Sequence, residues 1–232
     1  MHLKTYLTLV CLSIAYTGYA QQSALKLKAQ VPVQFGLGYE GKITRHFSFQ
    51  ASAGLLTKPN STLIIDALDA FGTDPQVTLM IEDAFNLGFV GEGGLNYNFG
   101  KNYIGIFFQV IDLHGGETPA AIVEDFFDTD VSNYPQRRNR ANTTEKYLKI
   151  KSTLLQGGIL YGRRFPLKDK HWEIDAEFGV SANLASETKI TSDVYDLTAL
   201  SKVADAEIGG YYKDYAFIPS LSVALVYKFI TR

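Results

Sequence analysis

His114, with Asp112 and Glu117 close by, is the residue of this chain best equipped for proton transfer. A histidine oriented by a carboxylate can activate a hydroxyl nucleophile. No serine neighbours it in sequence, so an inert histidine at a loop end is the plainer expectation. His46 and His171 fall in short polar links, where histidines are ordinary surface residues. In "EDFFDTDVSN", Asp128, Asp130 and Ser132 alternate like the first ligands of a calcium loop. Asn133 replaces the glycine such a loop needs, and Asn139 stands where its closing glutamate belongs, which favours an exposed acidic loop. "QRRNR" gathers Arg137, Arg138 and Arg140 into a basic knot, either a phosphate clamp or a solvated loop tip. No phosphate-binding loop, dinucleotide fingerprint, zinc spacing or nucleophile elbow is present, so neither cofactor nor metal is expected.

The ends and totals narrow the setting. Residues 1–20 carry Lys4, an apolar run from Leu7 to Ala15, and the small residues Gly18 and Ala20, the pattern of a cleaved export signal. Residues 21–232 then form one domain. Cys11 leaves with the signal, so the exported chain has no thiol chemistry. Removing Lys4 changes the balance from 22 against 24 to 21 against 24, a net charge of −3, which gives no reason to expect nucleic acid. No later apolar run is long enough for a spanning helix. A membrane would have to be crossed by strands.

Strands are what the periodicity predicts. From Leu25 to Tyr39 every odd residue is apolar, and Phe47 to Leu55 repeats the pattern after a short link. Further runs cover 87–99, 103–113, 147–162, 171–186 and 217–229. The run 103–113 is apolar on both faces, and 147–162 changes phase near Ser152, which predicts a bulge there. Seven runs cannot close a barrel with both ends on one side. Splitting the first near Gln30 to Pro32 gives eight; a strand near Glu207 to Tyr215 would be another candidate, and ten strands are the alternative count. Short links alternate with long segments, 58–85, 115–145 and 187–214. These carry helical spacing at Leu63 to Phe71, Val77 to Phe85, Ala120 to Phe127 and Val194 to Val203.

Alternation does not say which medium the apolar face meets. The aromatics do. Tyr39, Phe47, Tyr97, Phe99, Tyr103, Tyr161, Phe165, Trp172, Tyr227 and Phe229 all lie near a short link or the last strand's end, forming one ring of the kind found at a bilayer interface. The fold class expected is all-β: a closed antiparallel transmembrane barrel with trimmed turns at one end and long, partly helical loops at the other. Its lumen should hold a polar cluster of Glu40, Glu92, Glu173, Asp175, Glu177, Lys149, Lys151 and Arg164, with Lys26, Lys28 and Arg163 as further partners for the carboxylates. Eight strands leave a bore that side chains fill, so no diffusion pore is expected.

The ending "GYAQQ", the hairpin "GLNYNFGKNYIGIFF" and the last strand "SLSVALVYKFITR" make the chain resemble the small outer-membrane β-barrel proteins of Gram-negative bacteria. Ile230, Thr231 and Arg232 follow Phe229, a departure from that family's habit of ending on an aromatic. The resemblance implies location in the outer membrane, lipids as the surrounding partner, a monomer, and a porin-like architecture with a surface-structural or interaction role. The loop helices would cap the barrel or form a groove for a partner. Two other readings are an exported soluble barrel holding a hydrophobic small molecule, and a lipid-modifying enzyme built on His114.

Overall fold

A computed structural model describes residues 23–31, 34–56, 87–136, 147–214 and 218–229. The helical spacings at 63–71 and 77–85, residues 1–20, Arg137, Arg138, Asn139 and Arg140 lie outside them. Eight antiparallel strands close into a barrel in sequence order, β1 pairing with β8. They are β1 (Ser23–Val31), β2 (Gln34–Lys42), β3 (Phe47–Leu56), β4 (Leu87–Phe99), β5 (Asn102–Pro119), β6 (Tyr147–Pro166), β7 (Trp172–Thr191) and β8 (Ile218–Phe229). Among the described residues two helices follow the helical spacing of the long segments: α1 (Ala120–Phe126) and α2 (Thr198–Asp214). Glu207 to Asp214 belongs to α2 rather than to a further strand.

The first alternation does break between Val31 and Gln34, giving β1 and β2. One consequence departs from the expected asymmetry: the β1–β2 link, at the long-loop end, is two residues long by sequence. The wall is therefore uneven. β1 and β2 have 9 residues each, close to the roughly 9–11 that cross a hydrocarbon core, whereas β6 and β7 have 20. About half of β6 and β7 rises beyond the bilayer.

Every strand turns an apolar row outward. Leu27, Leu37, Leu55, Leu95, Phe108, Ile159, Phe178 and Leu221, one from each strand, are 42–68% exposed. A soluble protein does not expose such a continuous apolar girdle. The inward row is polar near the short turns and becomes hydrocarbon higher up, where Val90, Ile111, Leu113, Leu148, Ile150, Leu154 and Ile190 join one buried cluster with Val123 of α1 and Leu200, Ala204 and Ile208 of α2.

That switch explains the apparent phase change of β6. No bulge occurs at Ser152: even-numbered residues face inward along the whole strand. What changes is the surroundings. Leu148, Ile150 and Leu154 point into the apolar cluster, while Lys149 and Lys151 point out into water above the lipid. The irregularity lies instead in β7, where Leu155 pairs with Ala185 and Gln156 with Asn183, leaving Leu184 as the extra residue.

β8 pairs with β7 only as far as Ser181–Ile218, so the upper part of β7 has a bare edge on that side. Helix α2 covers it. Ser201 Oγ accepts from the Ile190 N–H at 2.9 Å and donates to the Ile190 carbonyl at 2.6 Å, and Asp205 accepts from the Thr188 N–H at 2.7 Å. These side chains supply the partners a neighbouring strand would give. Replacing Ser201 and Asp205 with Ala should cost about 1–3 kcal/mol per group left unpaired. Amide exchange at Thr188 and Ile190 should rise by roughly tenfold or more, while exchange in β1 and β2 stays unchanged.

Candidate functional site

The polar side chains that converge inside the barrel form one connected network across the lower lumen. Inward residues of β1 carry the cations: Lys26 Nζ lies 2.8 Å from Asp175, 2.9 Å from Glu40 and 3.6 Å from Glu177. Lys28 Nζ lies 2.9 Å from Glu92 and 3.3 Å from Glu177. Nearer the short turns, Arg164 donates to Glu40 at 2.5 Å and lies 3.9 Å from Glu173, which also pairs with Lys228. Glu177 accepts from Tyr103 Oη at 2.6 Å and from Ser222 Oγ at 2.8 Å. Gln50 reaches Glu92 at 3.5 Å and accepts from Asn96 at 3.2 Å. With Tyr103 from β5, Arg164 from β6 and Gln50 from β3, all eight strands contribute. Alternating signs hold buried charges that would each be unaffordable alone.

Three expected positions are corrected by this geometry. Lys149 and Lys151 are not in the lumen: they face outward on β6, pairing with Asp193 at 3.2 Å and Asp112 at 3.0 Å. Tyr103 does not belong to the aromatic ring; it faces inward and is fully buried, between Arg164 at 4.6 Å and Lys26 at 5.6 Å from its ring centre. A run apolar on both faces gives no hint of which parity turns in, so β5 could not place Tyr103 from sequence. Lys228 was legible only as a member of the polar row of β8 and enters the network through Glu173. Glu40, Glu92, Glu173, Asp175, Glu177 and Arg164 occupy the lumen together.

The bore is packed. The Tyr103 ring lies over Gly162 and the Phe107 ring over Gly158, where a Cβ would overlap either ring. A cavity beside Lys28, Glu92 and Glu177 holds about 10 Å³, enough for about one water. A second, of about 40 Å³, opens between Lys42, Arg164, Glu173 and Lys228.

On the outside, Tyr39, Phe47, Tyr97, Phe99, Tyr161, Phe165, Trp172 and Phe229 are exposed by 37–50% at the short-turn end, with Tyr227 half-buried among them. Their rings touch in series: Phe47 meets Tyr97 at 5.4 Å, Trp172 meets Tyr227 at 5.0 Å, and Tyr227 meets Phe229 at 5.4 Å between centres. Arg163 lies outward at the same level, 5.5 Å from the Phe165 ring.

The chemical candidates of the long-loop end do not assemble a reaction centre among the described residues. His114 Nε2 is 3.9 Å from Asp112, beyond hydrogen-bond reach, and its ring meets Phe89 edge-on. The nearby hydroxyl, Thr153 Oγ1, donates to Asp112 at 3.1 Å rather than to the histidine. Asp130 turns back on its own chain, accepting from the Ser132 N–H at 2.8 Å, and these local hydrogen bonds hold its carboxyl below the usual range. That is a turn rather than a ligand cradle, and among the described residues no group of acids, histidines or cysteines is arranged to hold a metal ion.

No protein-family model and no curated protein sequence matches the chain. Among the solved structures that resemble it are the following three. A major outer membrane protein from Thermus thermophilus is 13% identical, covering 89% of this chain and 99% of that one, with a TM-score of 0.45. Acinetobacter baumannii CarO is 11% identical, covering 90% and 98%, with a TM-score of 0.37. Acinetobacter baumannii CarO2 is 10% identical, covering 90% and 98%, with a TM-score of 0.36. With its apolar girdle turned outward and its charges turned inward, the closed barrel of eight strands is built as a transmembrane β-barrel.

Proposed function

We propose that this barrel is a non-enzymatic, non-conducting surface protein of the outer membrane, whose helices α1 and α2 cap the lumen and whose raised wall serves a structural or interaction role. The observation that carries the reading is the network from Lys228 through Arg164, Lys26 and Lys28 to Glu92, which with the buried Tyr103 ring fills the lower lumen. Above it, the apolar cluster of α1, α2 and the inner faces of β5–β7 supports the cap. The membrane itself is the partner read most directly. At the short-turn rim Arg45, Lys101, Arg163, Lys168 and Lys170 are exposed, with Asp169 as the one exposed acid among the described residues there. Such a collar suits anionic lipid phosphates, each cation contributing on the order of 1 kcal/mol near the surface. The barrel acts as a monomer in this role.

Planar-bilayer recording of the purified full chain tests it. Silence at moderate voltages is the expected result. Long-lived unitary openings of porin size would sink the proposal and point to a lumen that rearranges.

A further inference from the structure

The short-turn rim contains the same construction twice. His46 directly precedes β3 and His171 directly precedes β7. In each case the next residue pairs with a tyrosine of the following strand: Phe47 with Tyr97, Trp172 with Tyr227. Each histidine ring stacks on that tyrosine at 5.8 Å, tilted by 22° at Tyr97 and 16° at Tyr227. Each ring Nδ1 faces the carbonyl one residue further on, Asn98 O at 3.3 Å and Lys228 O at 3.2 Å. Each histidine carbonyl accepts the N–H of that same residue, at 2.6 Å for Asn98 and 2.8 Å for Lys228. The sequences agree as well: "HFSFQA" and "HWEIDA" begin β3 and β7, while "LNYNF" and "LVYKF" end β4 and β8. Four strands of eight separate the two corners, so they face each other across the barrel. The third short turn, Gly100–Lys101, has no such histidine.

We propose that these corners are equivalent latches, each pinning the lower end of the strand that completes a four-stranded half, and that either β8 or β4 can therefore serve as the closing strand. The need for a latch differs between them. β4 is already tied to β5 through the Gly100–Lys101 turn, whereas β8 meets β1 by pairing alone. At β8 the histidine replaces a covalent turn with a hydrogen bond to the Lys228 carbonyl and a ring stack on Tyr227. In the native order the His171 corner carries the load and the His46 corner is a spare.

Circular permutants test this, with Phe229 joined to Ser23 by a short glycine-serine linker, since those residues are paired neighbours. One is opened between Gly100 and Lys101, making β4 the last strand. A control is opened between Lys168 and Asp169, making β6 the last strand, which has no latch. After refolding in detergent, the folded fraction is read as the heat-sensitive fast-migrating gel band across a urea series. We expect the first permutant to fold like the parent and the control to yield about tenfold less. In the parent, His171→Ala should lower the folded-to-unfolded ratio by about tenfold, the sum of one hydrogen bond and one aromatic contact, and His46→Ala by less than about twofold. In the first permutant that order should reverse. Equal folding of both permutants, failure of the first, or an unreversed order of the two histidine effects would each overturn the proposal.

Discussion

Lys26→Met should lower the stability of the folded barrel by about 3–5 kcal/mol, the effect of removing one member of a buried ion network and leaving the rest uncompensated. Lys26 lies within 2.8–3.6 Å of three carboxylates, Asp175, Glu40 and Glu177, in a bore with almost no room for water. Methionine keeps the volume, so the loss would be electrostatic rather than a cavity. A urea titration in phospholipid vesicles, followed by tryptophan emission, reads it out. Trp172 is the one tryptophan of the chain and lies at the lipid interface. Adding Asp175→Leu should return part of the loss, because the pair is then removed together. A single variant that unfolds at the parental urea concentration would mean that the network contributes nothing to holding the strands.

Phe178→Arg should cost about 2–4 kcal/mol if this residue faces acyl chains near the bilayer midplane. Phe178 is 53% exposed, on the outward row of β7 between Ala176 and Val180, and lies well above the aromatic ring that holds Trp172. Glu187→Arg, on the outward side of the same strand above the Leu184 irregularity, serves as the companion variant. It faces water, so its change should stay within about 0.5 kcal/mol. Equal effects of the two substitutions in vesicles would show that the hydrocarbon does not lie where the girdle puts it.

Much of the barrel was legible because lipid outside and charge inside impose a strict period of two. Leu25 to Tyr39 and Phe47 to Leu55 gave β1 to β3, with Val31 and Gln34 on either side of the break. Legibility ended where the surroundings changed along one strand. Leu148 and Ile150 face the buried apolar cluster, and Lys149 and Lys151 face water on the other side of the wall, so the same strand reads as if shifted by one residue. Tyr103 was misplaced for a related reason: Ile104 and Phe107 are both apolar, yet one meets lipid and the other fills the bore. The lumen carboxylates were visible as the row Glu173, Asp175 and Glu177, whereas their pairing with Lys26 and Lys28 depends on barrel closure, which brings together residues as far apart as 149 positions.

The inner face of this barrel stacks two kinds of cohesion, ion pairs below and hydrocarbon above, and temperature acts on both in the same sense. Warming eases the dehydration of paired charges, and chilling, which makes it costlier, also erodes the attraction between apolar groups. Frost would therefore slacken both layers together, the contacts of α2 on Ile150 and Ile190 and the carboxylate ladder of β7. Neither end of the bore is the hardier in the cold.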